Sequence, residues 1–167
     1  MRLATPADVV RLSAFATQVF LHTYATDGVN DNLAEYVRDA FAPDAFRALI
    51  DDSARAILVE ELGDALVGFA ELAFDTPCPD DPSVTTEIAT LYVSEHHARR
   101  GIGTRLLAAG MDLARSRSEH GDLWLSVYAG NPEALAFYAA RGFERLGTLW
   151  FELGTGTHEN HVLVLRG

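Results

Sequence analysis

Apolar positions along the chain follow two rhythms, one at helical spacing and one alternating as strands do. Residues 1–3 read as a short first strand. Thr5-Pro6-Ala7-Asp8 then carries the marks of a helix start: a hydroxyl that can cap, a proline suited to the first helical position, and an acid where a capping box places one. Val9, Leu12, Ala16, Val19 and Phe20 recur at helical spacing and extend that helix to about residue 22. A polar, glycine-containing loop follows. Leu33, Tyr36, Val37 and Phe41 predict a second helix, interrupted at Ala42-Pro43 because proline pushes the preceding residue out of the helical region. Phe46, Leu49 and Ile50 predict a short continuation.

Beyond this the rhythm becomes that of strands. Ala56-Ile57-Leu58-Val59-Glu60 and residues 66–74 read as two strands joined by a Gly63-Asp64 hairpin. Residues 75–83, with three prolines and three aspartates, form a loop. Thr86-Glu87-Ile88-Ala89-Thr90-Leu91-Tyr92-Val93 is a strand leading toward Ala98-Arg99-Arg100-Gly101-Ile102-Gly103-Thr104-Arg105-Leu106-Leu107. Leu106, Leu107, Met111 and Leu113 place a helix after that glycine turn, ending near His120-Gly121. Leu123-Trp124-Leu125-Ser126-Val127-Tyr128 is another strand. Asn131-Pro132 opens a short helix bearing Leu135, Phe137 and Tyr138, with Phe137 assigned to the core and Gly142 as its left-handed stop. Last strands are expected at 149–153 and 161–165. The alternation has no break, so residues 1–167 are expected to form one α/β (α+β) domain.

Composition narrows the class. A chain of 167 residues with 49% hydrophobic content can bury one sizeable core. A net charge of −11, from 24 acidic and 13 basic residues, argues against nucleic-acid binding and favours cationic partners. Cys78 is the only cysteine, which excludes an intrachain disulfide and fits a reducing cytoplasm. It lies between two prolines in a loop, a poor setting for a nucleophile. The first residues lack an apolar signal core, and no run reaches membrane-spanning length, so no membrane role is expected.

The glycine turn is the first candidate for chemistry. A turn between strand and helix exposes N–H groups that no intrahelical carbonyl satisfies, and the helix dipole adds positive charge there. An anion such as a pyrophosphate fits that place. Gly101 and Gly103 admit close approach, while Arg99, Arg100 and Arg105 add formal charge. Ordinary turn chemistry would use the same residues, and the stretch is neither the dinucleotide-binding fingerprint nor the P-loop.

Taken jointly, Glu87–Val93, residues 99–107 and Asn131-Pro132-Glu133-Ala134-Leu135-Ala136-Phe137-Tyr138-Ala139-Ala140-Arg141-Gly142-Phe143 resemble, in order and spacing, the GNAT superfamily of acyl-CoA-dependent N-acetyltransferases. The resemblance implies a GNAT fold: a mixed, mostly antiparallel sheet of about seven strands flanked by helices, splayed at the acetyl-CoA site. Ala4-Thr5-Pro6-Ala7-Asp8, Thr23-Tyr24, Tyr36, Phe41-Ala42-Pro43 and Trp150-Phe151-Glu152-Leu153-Gly154 are similar to the branch containing bacterial spermidine/spermine N-acetyltransferases. Thr155-Gly156-Thr157 departs from the acidic stretch common there, and Ala98 stands where the family often has Gln or Arg.

The resemblance implies acetyl-CoA as cosubstrate and an amine as acceptor. Acetylation needs a neutral amine, a held thioester, a donor for the developing oxyanion and a proton for the leaving thiolate. Leu91, Tyr92 and Val93 match the strand whose backbone faces the pantetheine and thioester, a backbone N–H near Val93 being the candidate for polarising the carbonyl. Arg99, Arg100, Gly101, Ile102, Gly103 and Thr104 match the pyrophosphate turn, and Asn131 matches a residue that hydrogen-bonds the cofactor arm while also suiting a helix cap. Tyr138 matches the general acid.

Glu87 is the candidate base, acting through water, and Glu71 is its competitor. Tyr24, Glu35, Tyr36 and Asp39 are placed on the acceptor side with Glu71, although a solvated helix face accounts equally for Glu35 and Asp39. His96-His97 and His158-Glu159-Asn160-His161 lack the spacing and partners of a metal site, so no metal is expected. The acceptor is a small cationic amine such as a polyamine, or else a peptide N-terminus, a lysine, an amino acid or a drug amine. A non-catalytic acyl-CoA-binding domain is the reading from another class. Similar proteins are commonly dimers, and a homodimer is left open.

Overall fold

The computed structural model describes residues 1–118, 120–153 and 156–167. In chain order the elements are β1 (Arg2–Leu3), α1 (Val9–Tyr24), α2 (Asp31–Ala40), α3 (Pro43–Asp51), β2 (Arg55–Leu62), β3 (Ala65–Ala73), β4 (Glu87–Val93), α4 (Ile102–Arg117), β5 (Leu123–Tyr128), α5 (Pro132–Ala139), β6 (Glu144–Leu153) and β7 (Gly156–Leu165). Seven strands make one helix-flanked sheet in the order β1-β2-β3-β4-β5-β7-β6. It is mixed: β1/β2, β5/β7 and β6/β7 run antiparallel, and β4/β5 run parallel through Glu87 opposite Trp124.

The chain divides into two compact units, Met1–Glu71 with Thr90–Ala109 and Leu72–Ala89 with Gly110–Gly167. The first is built on aromatic packing. Phe69 on β3 meets Phe15 of α1 at 6.1 Å, Phe46 of α3 at 5.9 Å and Tyr92 of β4 at 5.6 Å between ring centroids. All three are edge-to-face pairs, the arrangement that brings positive ring edges to negative ring faces. The start of α1 is pinned by charge. Asp8, only 2% exposed, accepts from Thr5 N–H at 2.8 Å and Thr5 hydroxyl at 3.0 Å. Arg2 donates to both its oxygens at 2.7 and 2.8 Å, and Arg11 adds a further bond. The capping acid read from the sequence thus also anchors two arginines, and those partners hold its carboxyl well below the usual carboxylate range.

In the second unit Cys78, Val84, Trp124, Val162 and Val164 form a buried cluster, and the Trp124 indole donates to the Thr76 carbonyl at 2.7 Å. The lone thiol is a core side chain, sealed from solvent. The loop that carries it is fastened at the far end by Arg166, which pairs with Asp81 and with Asp122.

Three expectations about elements need correction. The residues after Pro43 are a helix of their own, because Ala42 is extended at the break. Helix α4 ends at Arg117, before the expected His120-Gly121. Strands β6 and β7 begin at Glu144 and Gly156, each five residues before the strands expected at 149 and 161. Their added length is largely polar and lies on a hairpin whose outer strand is the sheet edge, so burial leaves no alternating signal there. A bulge between Arg145 and Gly147 also breaks the alternation. Gly154, the last residue of the end stretch likened to one branch, and Thr155, the first of the stretch that departs from it, lie outside the described residues.

Candidate active site

In the first unit, β4 delivers the chain through a short 3-10 turn at Glu95–His97 to the glycine turn before α4. Arg99 and Gly101 both take positive φ, 59° and 75°, so the backbone bends left-handed twice around Arg100. The first helical bond of α4 runs from Arg105 N–H to the Gly101 carbonyl at 3.0 Å. The N–H groups of Ile102 and Gly103 therefore precede any intrahelical acceptor and point out of the helix start. Arg99 and Arg100 are exposed and have no side-chain hydrogen bond among the described residues. Together the backbone dipole and the two exposed guanidinium groups make an arrangement of the kind that suits an anion.

Arg105 does not join them. Its guanidinium donates to Glu60 on β2 at 2.6 and 3.1 Å and to the Arg100 carbonyl at 3.2 Å. It ties the turn to the sheet rather than offering charge to a ligand. A second positioning feature escaped the sequence. A Cβ at Gly68 on β3 would lie 2.9 Å from Ile102 Cγ2, 3.1 Å from the Tyr92 carbonyl and 3.2 Å from Leu106 Cδ1. Gly68 is the space that lets the start of α4 lie against β3, beside β4. An isolated glycine in a strand signals such close approach, but what approaches is not written in the sequence.

The acceptor-side candidates divide sharply. Tyr24 and Tyr36 pack on Phe20 at 4.7 and 4.9 Å, and Tyr36 meets Phe41, which in turn meets Tyr92. Glu71 is 8% exposed and electrostatically linked to Tyr36, whose phenol is raised above its ordinary pKa by burial, by Tyr24 and by Glu71. Arg55 on β2 donates to Glu71 Oε1 at 2.8 Å and Thr90 hydroxyl to Oε2 at 3.4 Å. Burial nevertheless wins, and the Glu71 carboxyl lies above its ordinary value. Tyr24, Tyr36, Tyr92 and Glu71 are thus brought together in this unit. Glu35 and Asp39 are exposed on α2, with Asp39 paired to Arg38 at 2.7 Å. Arg55 and Thr90 were missed, since neither residue type carries a spacing signal.

In the second unit Asn131 caps α5, its Oδ1 accepting from Ala134 N–H at 3.0 Å. Tyr138 is 8% exposed and lies against Phe137 and Phe143, both at 5.2 Å. Phe137, expected in the core, is half-buried beneath the Arg141 guanidinium at 3.6 Å. The helix turns the tyrosine inward instead. Glu87 is half-buried at the start of β4, and Leu91, Tyr92 and Val93 at the other end of that strand are half-buried in the first unit. No cluster of three or more His, Cys, Asp or Glu side chains suited to a metal occurs among the described residues, nor does a helix long and apolar enough to cross a membrane.

Comparison with known proteins places this geometry. Residues 22–143 match the model of the acetyltransferase (GNAT) family. An uncharacterised Mycobacterium leprae protein is 32% identical over 86% of the chain, which spans about a third of that protein's length (34%). The N-alpha-acetyltransferase RimI of Mycobacterium tuberculosis is 32% identical over 109 residues, 65% of each chain. The crystal structure of the PaiA N-acetyltransferase of Thermoplasma acidophilum, in complex with coenzyme A, superimposes with a TM-score of 0.81 at 19% identity, covering 99% of this chain and 97% of that one. A match over residues 22–143, on a chain with this seven-stranded fold and this turn, means that the protein belongs to the acetyltransferase (GNAT) family.

Proposed function

We propose that residues 1–167 act as an acetyl-CoA-dependent N-acetyltransferase that moves an acetyl group onto a primary amine by direct attack in a ternary complex. The observation that carries this is the turn at 99–104, with two left-handed residues, outward N–H groups and two exposed arginines, inside a family match over 22–143. Those residues suit a pyrophosphate, and Asn131 suits the cofactor arm. Acetyl-CoA supplies the activated acyl group. The amine nitrogen forms a bond to the acetyl carbonyl carbon, the carbon–sulfur bond breaks, and Tyr138 gives its phenolic proton to the departing sulfur. The proton lost by the amine passes to a carboxylate, Glu87 through water or Glu71. Of the two, Glu71 has the burial that raises a carboxyl toward the operating range.

The acceptor has two versions. Branch resemblance carries a polyamine or other small cationic amine. The relationship to an N-alpha-acetyltransferase carries an α-amine, either of a peptide N-terminus or of an amino acid. The neutralised Arg55–Glu71 pair favours the second version, because a polycation needs carboxylates whose charge is still available. The test is a thiol-release assay with acetyl-CoA across polyamines, amino acids, peptides and drug amines. Turnover with a primary amine supports the reading. Tight acetyl-CoA binding with no turnover of any amine would leave a binding domain instead.

A further inference from the structure

Arg55 holds Glu71 through a single donor. Nη1 bonds Oε1 at 2.8 Å, and the Nε and Nη2 donors have no hydrogen-bond partner among the described residues. The Arg55 side chain is 32% exposed, whereas the Glu71 side chain is 10% exposed. The pair therefore presents a buried carboxylate beside a partly open guanidinium. Thr90 hydroxyl, bonded to the other carboxylate oxygen at 3.4 Å, fixes the orientation of Glu71. Tyr36, stacked on Phe20 and electrostatically tied to Glu71, and Tyr24, tilted against the same Phe20 ring, supply an aromatic wall.

We propose that Arg55 and Glu71 form a recognition pair for a zwitterionic acceptor, an amine carrying its own carboxylate as an amino acid does. Glu71 takes the ammonium, and the unspent donors of Arg55 take the carboxylate. Charge bookkeeping selects this class. Arg55 and Glu71 sum to zero, so a bare ammonium meets attraction and repulsion of similar size within a few ångströms. An acceptor bearing both signs answers both groups. Guanidinium is also the side chain whose planar fork matches a carboxylate in two parallel bonds, a geometry lysine cannot supply. Apolar parts of the acceptor and its ammonium fit the ring wall, where cations are attracted to aromatic faces. This rests on the N-acetyltransferase reading and names its acceptor.

The test compares each amino acid with its own decarboxylated amine: lysine with cadaverine, phenylalanine with phenethylamine. Two measurements are made, kcat/KM from thiol release and acceptor affinity by calorimetry with CoA present. The expected ratio of amino acid to amine is about tenfold or more, since a site built for a polar group discriminates strongly against analogues lacking it. In Arg55→Gln that ratio falls to about one, and in Arg55→Lys it falls partway, because charge persists while the fork is lost. A wild-type ratio of one or less overturns the proposal. So does a ratio unchanged in Arg55→Gln while both rates fall, which is the signature of a merely structural ion pair. Should Arg55→Gln fail to unfold cooperatively, Arg55→Lys and the wild-type ratio decide. Absence of turnover with intact acetyl-CoA binding counts against the enzyme, and the calorimetric ratio still decides the recognition pair.

Discussion

Gly68→Ala tests whether the close approach of α4 to β3 and β4 sets the geometry of the anion turn. The added methyl would lie 2.9 Å from Ile102 Cγ2 and 3.2 Å from Leu106 Cδ1, against the roughly 3.5–4.0 Å that carbon pairs prefer. The third neighbour, the Tyr92 carbonyl at 3.1 Å, is backbone within the sheet and yields least. Ile102 and Leu106, both 5% exposed or less, cannot swing out into solvent. Relief must come from lifting the start of α4 by several tenths of an ångström. Overpacking of this kind costs about 1–3 kcal/mol, partly offset by about 0.5–1 kcal/mol from removing a strand glycine. A net loss of about 1–2 kcal/mol lowers Tm by roughly 2–8 °C for a domain of this size. Because the lifted helix carries the turn, acetyl-CoA affinity falls about tenfold, equivalent to 1.4 kcal/mol. Gly110→Ala is the matched control on the same helix. Its methyl would meet Leu72 at 3.5 Å, an ordinary contact, so helix propensity alone acts and stability holds or rises. Thermal unfolding and calorimetry with acetyl-CoA measure both quantities. Unchanged acetyl-CoA affinity in Gly68→Ala, with Tm equal to or above wild type, refutes the reasoning.

Three further outcomes are expected. Tyr138→Phe keeps the rings against Phe137 and Phe143, so acetyl-CoA affinity and Tm hold while kcat falls about 100-fold or more; an unchanged kcat removes the tyrosine from proton transfer. The Glu71 carboxyl, raised by burial above the ordinary glutamate value of 4.5, titrates above that value in a carbon-13 NMR experiment and higher still in Arg55→Gln. A midpoint at or below 4.5 contradicts its burial; because the folded protein holds this proton more tightly, the group's contribution to stability declines as pH rises through the folded pKa. Asp8→Asn breaks charge-assisted bonds to Arg2 and Arg11 and costs about 2 kcal/mol at neutral pH, less than a fully buried pair because both arginines are partly exposed. Asp8 titrates well below its unfolded value of 3.8, so the wild-type advantage in urea unfolding is fully present above that pH and shrinks steadily as pH falls below it; an advantage of the same size at about pH 5 and about pH 2 would be inconsistent with this.

The sequence was most informative where one-dimensional spacing and physical constraint coincide. Val9, Leu12 and Ala16 must repeat at helical spacing to bury one face, so α1 is readable. Asn131-Pro132 and Gly142 are local backbone chemistry, so α5 is readable too. The turn at 99–104 was visible for the same reason, since glycine and arginine mark backbone geometry and charge directly. What was hidden depends on partners far apart in the chain. Arg105 looks like an anion-binding residue until Glu60 is found beside it. Arg55 is an ordinary basic residue until the fold places it on Glu71, sixteen positions away. Phe137 and Tyr138 are equally apolar in pattern, and only the packing of α5 shows which one turns inward. The edge hairpin β6/β7 was underestimated because an edge strand need not bury alternate residues.

The left-handed conformation of Arg99, at φ 59°, has a kinetic and entropic side. A non-glycine residue there costs about 1 kcal/mol, carried by the folded protein before any ligand arrives. In return, little backbone ordering is left for the moment of encounter, where each residue fixed on binding would otherwise cost about 1–2 kcal/mol. A turn bent in advance behaves as a rigid receptor. In the proposed pyrophosphate role, its affinity would be governed by how fast the anion leaves, and its association rate by diffusion and by the exposed charges of Arg99 and Arg100.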